Sequence, residues 1–113
     1  MLIVDGMNVI GARPDGWWRD RRGAQRALAA ALGALGEPVT VVFDGAPHEV
    51  DAPPGVEVAF APVADEEIAA RAGPGVTVVT SDRGLASRVR AAGGEVSPSR
   101  RFRERLERAC DGP

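Results

Sequence analysis

The sequence predicts an α/β fold, a three-layer sandwich built around a mostly parallel central sheet. Short β-branched runs alternate along the chain with Ala-, Leu- and Arg-rich segments of helical spacing, and strands alternating with helices imply parallel neighbours joined by right-handed crossovers. The runs also close on aspartate: Leu2-Ile3-Val4-Asp5, Val39-Thr40-Val41-Val42-Phe43-Asp44 and Val76-Thr77-Val78-Val79-Thr80-Ser81-Asp82. In an open parallel sheet the carboxyl ends of the strands converge on one crevice, so these acids belong to a single edge.

Residues 1–5 read as a buried strand, an apolar run broken at Gly6. Residues 6–16 hold three glycines, a proline and an asparagine, and read as a loop. From Trp18 to Leu35 the spacing predicts one helix, with Ala24, Leu28, Ala31, Leu32 and Leu35 on a common face and Gly36 and Pro38 as its stop. Residues 39–43 form a second strand by composition. A loop from Gly45 to Pro54 leads to a third strand at 56–60, in which Glu57 is a mid-strand residue and not a strand-end acid.

Ala64 to Ala72 is a short helix whose first turn holds Asp65, Glu66 and Glu67, complementing the helix dipole. Residues 76–80 form a nearly pure apolar strand, covered on both faces. Ser81 or Asp82 caps a helix that runs to Ala92, where Gly93 and Gly94 end it. Glu95-Val96 is a brief fifth strand, and an Arg-rich helix runs from Pro98-Ser99 to Ala109. The expected spatial order is 3-2-1-4-5, which brings Asp5, Asp44 and Asp82 together, with Asp65 entering from its helix. Residues 1–110 make a single domain by this reading, and 111–113 a loose end.

Apolar residues at 44% and charged residues at 27% are those of a globular, water-facing domain. No apolar run is long enough to span a bilayer, and the opening run meets Asp5 at once with no basic stretch before it, unlike a signal peptide. A lone cysteine, Cys110, excludes an internal disulfide and fits a reducing cytoplasm. Oligomeric state is not legible.

The net charge of −2 conceals a segregation. Residues 37–67 carry Glu37, Asp44, Glu49, Asp51, Glu57, Asp65, Glu66 and Glu67 and no Lys or Arg, whereas residues 83–108 carry Arg83, Arg88, Arg90, Arg100, Arg101, Arg103, Arg105 and Arg108 against three glutamates. Arg13, Arg19, Arg21, Arg22 and Arg26 form a second basic cluster. An acidic centre between basic margins suits a polyanion held over bound metal; solvated helix faces are the plainer explanation.

Four carboxylates gathered on one edge repel one another unless a cation lies between them. Mg²⁺ and Mn²⁺ favour such oxygen ligands; bound there, they lower the pKa of a water and neutralise charge on a leaving oxygen of a phosphodiester. His48 and Cys110 stand alone, so no zinc constellation exists. The phosphate loop of NTPases and the dinucleotide fingerprint are absent, and no nucleotide cofactor is expected.

Val4-Asp5-Gly6-Met7-Asn8-Val9-Ile10-Gly11, Val42-Phe43-Asp44-Gly45, Ala64-Asp65-Glu66-Glu67-Ile68 and Thr80-Ser81-Asp82, in this order, resemble the NYN branch of the PIN-like nucleases, and within it the YacP-like group. The resemblance runs from Met1 to about Arg90, with an echo at Phe102 and Leu106. It implies a PIN-like fold and a Mg²⁺- or Mn²⁺-dependent ribonuclease that hydrolyses single-stranded RNA through metal-activated water and leaves a 5′-phosphate. By resemblance Asp5, Asp44, Asp65 and Asp82 match the acidic tetrad, both catalytic and metal-binding. Asn8 matches the polar residue that steadies the first Asp, and Ser81 the hydroxyl beside the last. Met7 stands where the family often has an aromatic residue, and the stretch between the second and third strands is short.

Each of these residues also has a plainer reading. Asp5 can bond loop amides, Asp44-Gly45 is a turn signature, and Asp82 can be an N-cap alone. Asp65 needs no special reason in a first helical turn, and Glu66 could take its place. Arg13, Arg19, Arg83, Arg100, Arg101 and Arg103 are the candidate RNA contacts. Trp17 and Trp18 either stack on bases or pack against the sheet, and His48 is expected to be exposed and inert. The competing functions are an inactive RNA- or protein-binding module of the same fold and a haloacid-dehalogenase-type phosphatase. The second is opposed by Met7, where that class needs an aspartate, and by the lack of any lysine.

Overall fold

The computed structural model describes residues 1–12 and 15–111. In chain order they form β1 (Leu2–Asp5), α1 (Gly6–Gly11), a 3₁₀ turn (Trp17–Arg19), α2 (Arg21–Leu32), a second 3₁₀ turn (Gly33–Leu35), β2 (Val39–Asp44), β3 (Val56–Ala61), α3 (Ala64–Arg71), β4 (Thr77–Val79), α4 (Arg83–Ala91), β5 (Glu95–Ser97) and α5 (Ser99–Asp111). The five strands make one sheet of order β3-β2-β1-β4-β5, and every neighbouring pair is parallel. Among the described residues no helix is long and apolar enough to cross a membrane.

The period-2 alternation of a strand divides the core into two layers. Leu2, Val4, Val39, Val41, Phe43 and Val79 face Val9, Ile10, Leu28, Leu32, Phe102 and Leu106 of α1, α2 and α5. Ile3, Val42 and Val78 face Ala64, Ile68, Leu85 and Val89 of α3 and α4. Asp5, Asp44 and Thr80 share parity with Ile3, Val42 and Val78, so the same alternation sends them toward α3 and α4.

Two segments differ from the sequence-based expectation. Residues 6–11 are a helix and not a loop: Val9 and Ile10 are fully or nearly fully buried in the first layer, and that packing outweighs the poor helix propensity of Gly6, Asn8 and Gly11. Glycine is needed at position 6 because a Cβ there would overlap the Phe43 ring. The expected continuous helix from Trp18 to Leu35 is broken. Asp20 leaves helical geometry and caps α2 by accepting the Gly23 N–H at 3.0 Å, while Gly16 enters the preceding turn in the left-handed region, φ 77°. Asp111 is the last residue of α5; residues 112 and 113 lie outside the described residues.

Candidate metal and RNA site

β1, β2 and β4 are adjacent, and their carboxyl ends carry the acidic edge. Register sets its shape. Asp5 pairs with Val42, so Asp44 stands two residues further along its strand, a stagger of roughly 6.6 Å at strand rise. Val4 pairs with Val79, which puts Thr80 level with Asp5. Asp82 lies two residues beyond Thr80 and starts α4; Asp65 lies in the first turn of α3.

Asp5 is 4% exposed. Its Oδ2 accepts the Thr80 hydroxyl at 2.9 Å, and the carboxylate also takes the Asn8 backbone N–H. Burial pushes its pKa up to about 6, with the charges of Asp65 and Asp44 adding to the rise and the Thr80 hydrogen bond opposing it. Asp65 is raised as well, first by burial, then by Asp82 and Asp44, with Arg88 opposing. The four carboxylates therefore sense one another electrostatically, as the order of the strands implies.

Two of the four also hold the local structure. Asp44 Oδ1 accepts the Ala64 N–H at 2.8 Å, fixing the start of α3. Asp82 Oδ1 accepts the Leu85 N–H at 2.8 Å as the N-cap of α4. Cap and ligand roles are compatible, since each bond uses one carboxylate oxygen. The all-carboxylate donor set has the hard-oxygen chemistry that Mg²⁺ and Mn²⁺ favour. The spacing is wide: among the described residues no three acidic, His or Cys groups stand close enough to hold one ion jointly. The β1–β2 stagger contributes to that separation.

A polar network runs beside the acids. Asn8 Oδ1 accepts the Ser81 N–H at 2.8 Å and the Ser99 hydroxyl at 2.6 Å, and Ser81 Oγ accepts the Ser99 N–H at 2.9 Å. Asn8 thus steadies Asp5 through its backbone, while its side chain joins α1 to the starts of α4 and α5. Thr80 and Ser99, both 1% exposed, were not legible as site residues. Thr80 qualifies through register with Asp5 and Ser99 through the β5–α5 turn, and neither leaves a mark in composition; the only available signal was a hydroxyl directly after the apolar run of β4.

Glu66 forms a two-pronged pair with Arg88, at 2.8 and 3.1 Å, and its charge adds to the rise of the Asp65 pKa. Glu57 pairs with Arg71 at 3.3 Å, outside the site. Arg19, Arg83, Arg100 and Arg101 are exposed. Arg103 lines a groove of about 410 Å³ with Trp17, Leu28 and Leu106 and pairs with Glu107 at 3.8 Å, a different setting from that of Arg100. Arg13 lies outside the described residues. Arg21 Nη2 donates to the Asp44 carbonyl at 3.4 Å, which brings the basic start of α2 to the acidic edge.

Trp17 is half-buried and Trp18 is 59% exposed, the rings meeting edge to face at 6.0 Å. The expectation for His48 is overturned. It is half-buried, lies 5.1 Å from the Phe60 ring and bonds Gln25 Oε1 through Nε2, because the loop after β2 folds back over the sheet. Its Nδ1 is buried with no partner among the described residues.

No protein-family model and no curated protein matches the chain. Among solved structures, two crystal structures of Rae1 (YacP) from Bacillus subtilis, one of them of a point mutant, match with a TM-score of 0.77 and 27% identity. The match covers 97–98% of this chain and 76–77% of theirs. The chain is therefore similar to Rae1 (YacP) over nearly its whole length, and its fold is YacP-like.

Proposed function

We propose that the chain is a divalent-metal-dependent ribonuclease that hydrolyses single-stranded RNA and leaves a 5′-phosphate. The observation that carries this reading is the electrostatic coupling of Asp5, Asp44, Asp65 and Asp82 on one sheet edge, with Asp5 buried and raised to about 6. Burial beside like charges disfavours the charged form of Asp5, and a cation between the acids would relieve that cost. The likeness to Rae1 (YacP) supports the reading, because the four sequence motifs resemble those of the same group.

In this reading Asp5, Asp44, Asp65 and Asp82 would hold Mg²⁺ or Mn²⁺, which would supply an activated water and charge neutralisation at the leaving oxygen. Thr80 and the Asn8 backbone orient the Asp5 carboxylate and favour its charged form. Asp44 is fixed by the Ala64 N–H at the start of α3, and Asp82 by the start of α4 that it caps. The arginines at the starts of α2, α4 and α5 hold the RNA backbone against the repulsion of the acids. The cytoplasm is the compartment in which such a substrate would be met.

The wide spacing of the carboxylates favours a second reading, an RNA- or protein-binding module without activity. One experiment separates the two. End-labelled single-stranded and duplex RNA are incubated with the protein in Mn²⁺, Mg²⁺ or EDTA, and the product ends are typed. Metal-dependent cleavage of the single strand with 5′-phosphate ends supports the nuclease; binding without cleavage in either metal supports the module.

A further inference from the structure

On the α1/α5 side of the acidic edge lies a cavity of about 370 Å³, lined by Met7, Asn8, Ser81, Ser99 and Arg100 among others. Its hydrogen-bonding character follows from the network around it. The Ser81 backbone N–H can only donate, so the Asn8 atom that receives it at 2.8 Å is the amide oxygen. That oxygen also receives the Ser99 hydroxyl at 2.6 Å. The orientation of the amide is thereby fixed, and its NH₂, with two donors, remains for a ligand.

Ser81 Oγ accepts the Ser99 N–H at 2.9 Å, so the Ser81 hydroxyl proton is also free to donate. Arg100 is exposed and has no ion-pair partner among the described residues. No carboxylate lines the cavity among the described residues, although Asp5 and Asp82 are close by in sequence to Asn8 and Ser81. An amide, a hydroxyl and a guanidinium offering donors without a competing acid select an oxyanion and disfavour a cation. The volume is within the range of small-ligand sites.

We infer that this cavity is a phosphate-binding subsite that grips an RNA phosphate next to the one placed at the acids. This rests on the ribonuclease reading for its substrate. The subsite answers a physical need: four carboxylates repel the RNA backbone, and a donor-lined, cationic recess beside them anchors the neighbouring nucleotide. The phosphate can be an internal diester or a terminal 5′-phosphate, and both offer the same tetrahedral oxygens.

The test is binding of a short fluorescent single-stranded RNA, followed by anisotropy in EDTA across a salt series, for wild type, Arg100→Gln and Asn8→Asp. Asn8→Asp keeps the oxygen that Ser81 and Ser99 bond, and replaces the free NH₂ with a repelling oxygen. Arg100→Gln changes an exposed side chain, and thermal melts confirm that both variants fold. Arg100→Gln is expected to weaken binding about tenfold and to reduce the log–log salt slope by about 0.7, one phosphate on a single strand. Asn8→Asp is expected to weaken it at least as much.

Single methylphosphonate substitutions, and 5′-hydroxyl against 5′-phosphate ends, identify the phosphate. The position that occupies the cavity costs affinity in wild type and nothing further in Arg100→Gln. Wild-type affinity and salt slope in both variants would overturn the inference. Loss of binding in the variants together with no cleavage by wild type in Mn²⁺ defeats the ribonuclease reading and leaves the subsite standing. Cleavage by wild type with unaltered variant binding defeats the subsite alone.

Discussion

The Thr80 hydroxyl donates to Asp5 Oδ2 at 2.9 Å while its oxygen accepts the Asp82 backbone N–H at 3.1 Å. One side chain thus couples the end of β1 to the start of α4 and sets the position of two of the four acids. Thr80→Val keeps the shape and removes both bonds. A buried acceptor left without its donor costs about 1–3 kcal/mol, and the Asp5 pKa should move further up. Thr80→Ser should restore most of the loss. Urea melts of the three proteins at pH 7 check this, and equal stability of Thr80→Val and wild type would contradict it.

Asp5 makes stability depend on pH in a defined direction. Its folded pKa, about 6, lies above the ordinary carboxylate value of 3.8. The folded state therefore binds the proton more tightly, and the stabilisation from protonated Asp5 is complete below about pH 4 and lost as pH rises through 6. The difference is on the order of 2 kcal/mol. Asp5→Asn removes the titration, so it should gain on wild type by about that amount between pH 4.5 and 7.5. A constant difference between the two proteins over this interval would refute the assignment.

Divalent metal should relieve the same repulsion. At ten times its Kd, Mn²⁺ stabilises by about 1.4 kcal/mol, a rise of several degrees in Tm. Because a ligand carboxylate must be deprotonated, the rise should shrink below pH 6. Asp5→Asn and Asp82→Asn should each reduce it. Calorimetry with and without Mn²⁺ gives the answer, and a Tm indifferent to the metal at pH 7.5 would count against a preorganised site.

Gly6→Ala places a methyl into the Phe43 ring, directly after Asp5. Overpacking of this kind costs about 1–3 kcal/mol, and here it should also displace α1 and Asn8 with it. Lower stability together with weaker Mn²⁺ stabilisation is the expected pair of results. A wild-type Tm would show that the ring can move aside.

Trp18 is 59% exposed beside Arg19, Arg21 and Arg22, whereas Trp17 is packed against the first core layer. Trp18→Ala should leave stability within about 0.5 kcal/mol and, if its ring stacks on a base, weaken single-stranded RNA binding by about 1–3 kcal/mol. Anisotropy titrations of Trp18→Ala against Trp17→Ala distinguish a stacking ring from a packing one. Unchanged RNA affinity in Trp18→Ala would assign both rings to packing.

The sheet order was legible because the strands are short apolar runs, β-branched in Val39–Phe43 and Val76–Thr80, and segments of helical period separate most of them. The acids were legible because they end those runs. The α1 helix was not, since its only favourable feature is the burial of Val9 and Ile10 by helices distant in sequence. Thr80 and Ser99 escaped for a related reason. Their roles depend on the pairing of Val4 with Val79 and on the approach of α5 to Asn8, relations that no local pattern encodes. The pairing of Asp5 with Val42 explains the stagger between Asp5 and Asp44, which strand order alone could not foresee. His48 was misjudged because the loop after β2 packs on Phe60 and Gln25.

Membership of Asp5 in a metal-dependent catalytic site is open to direct measurement. Cleavage of labelled single-stranded RNA in Mn²⁺, wild type against Asp5→Asn, tests it most directly. Wild type should cleave in a way that EDTA abolishes, and a folded Asp5→Asn should give only the no-protein background. Cleavage by Asp5→Asn at the wild-type rate would contradict it.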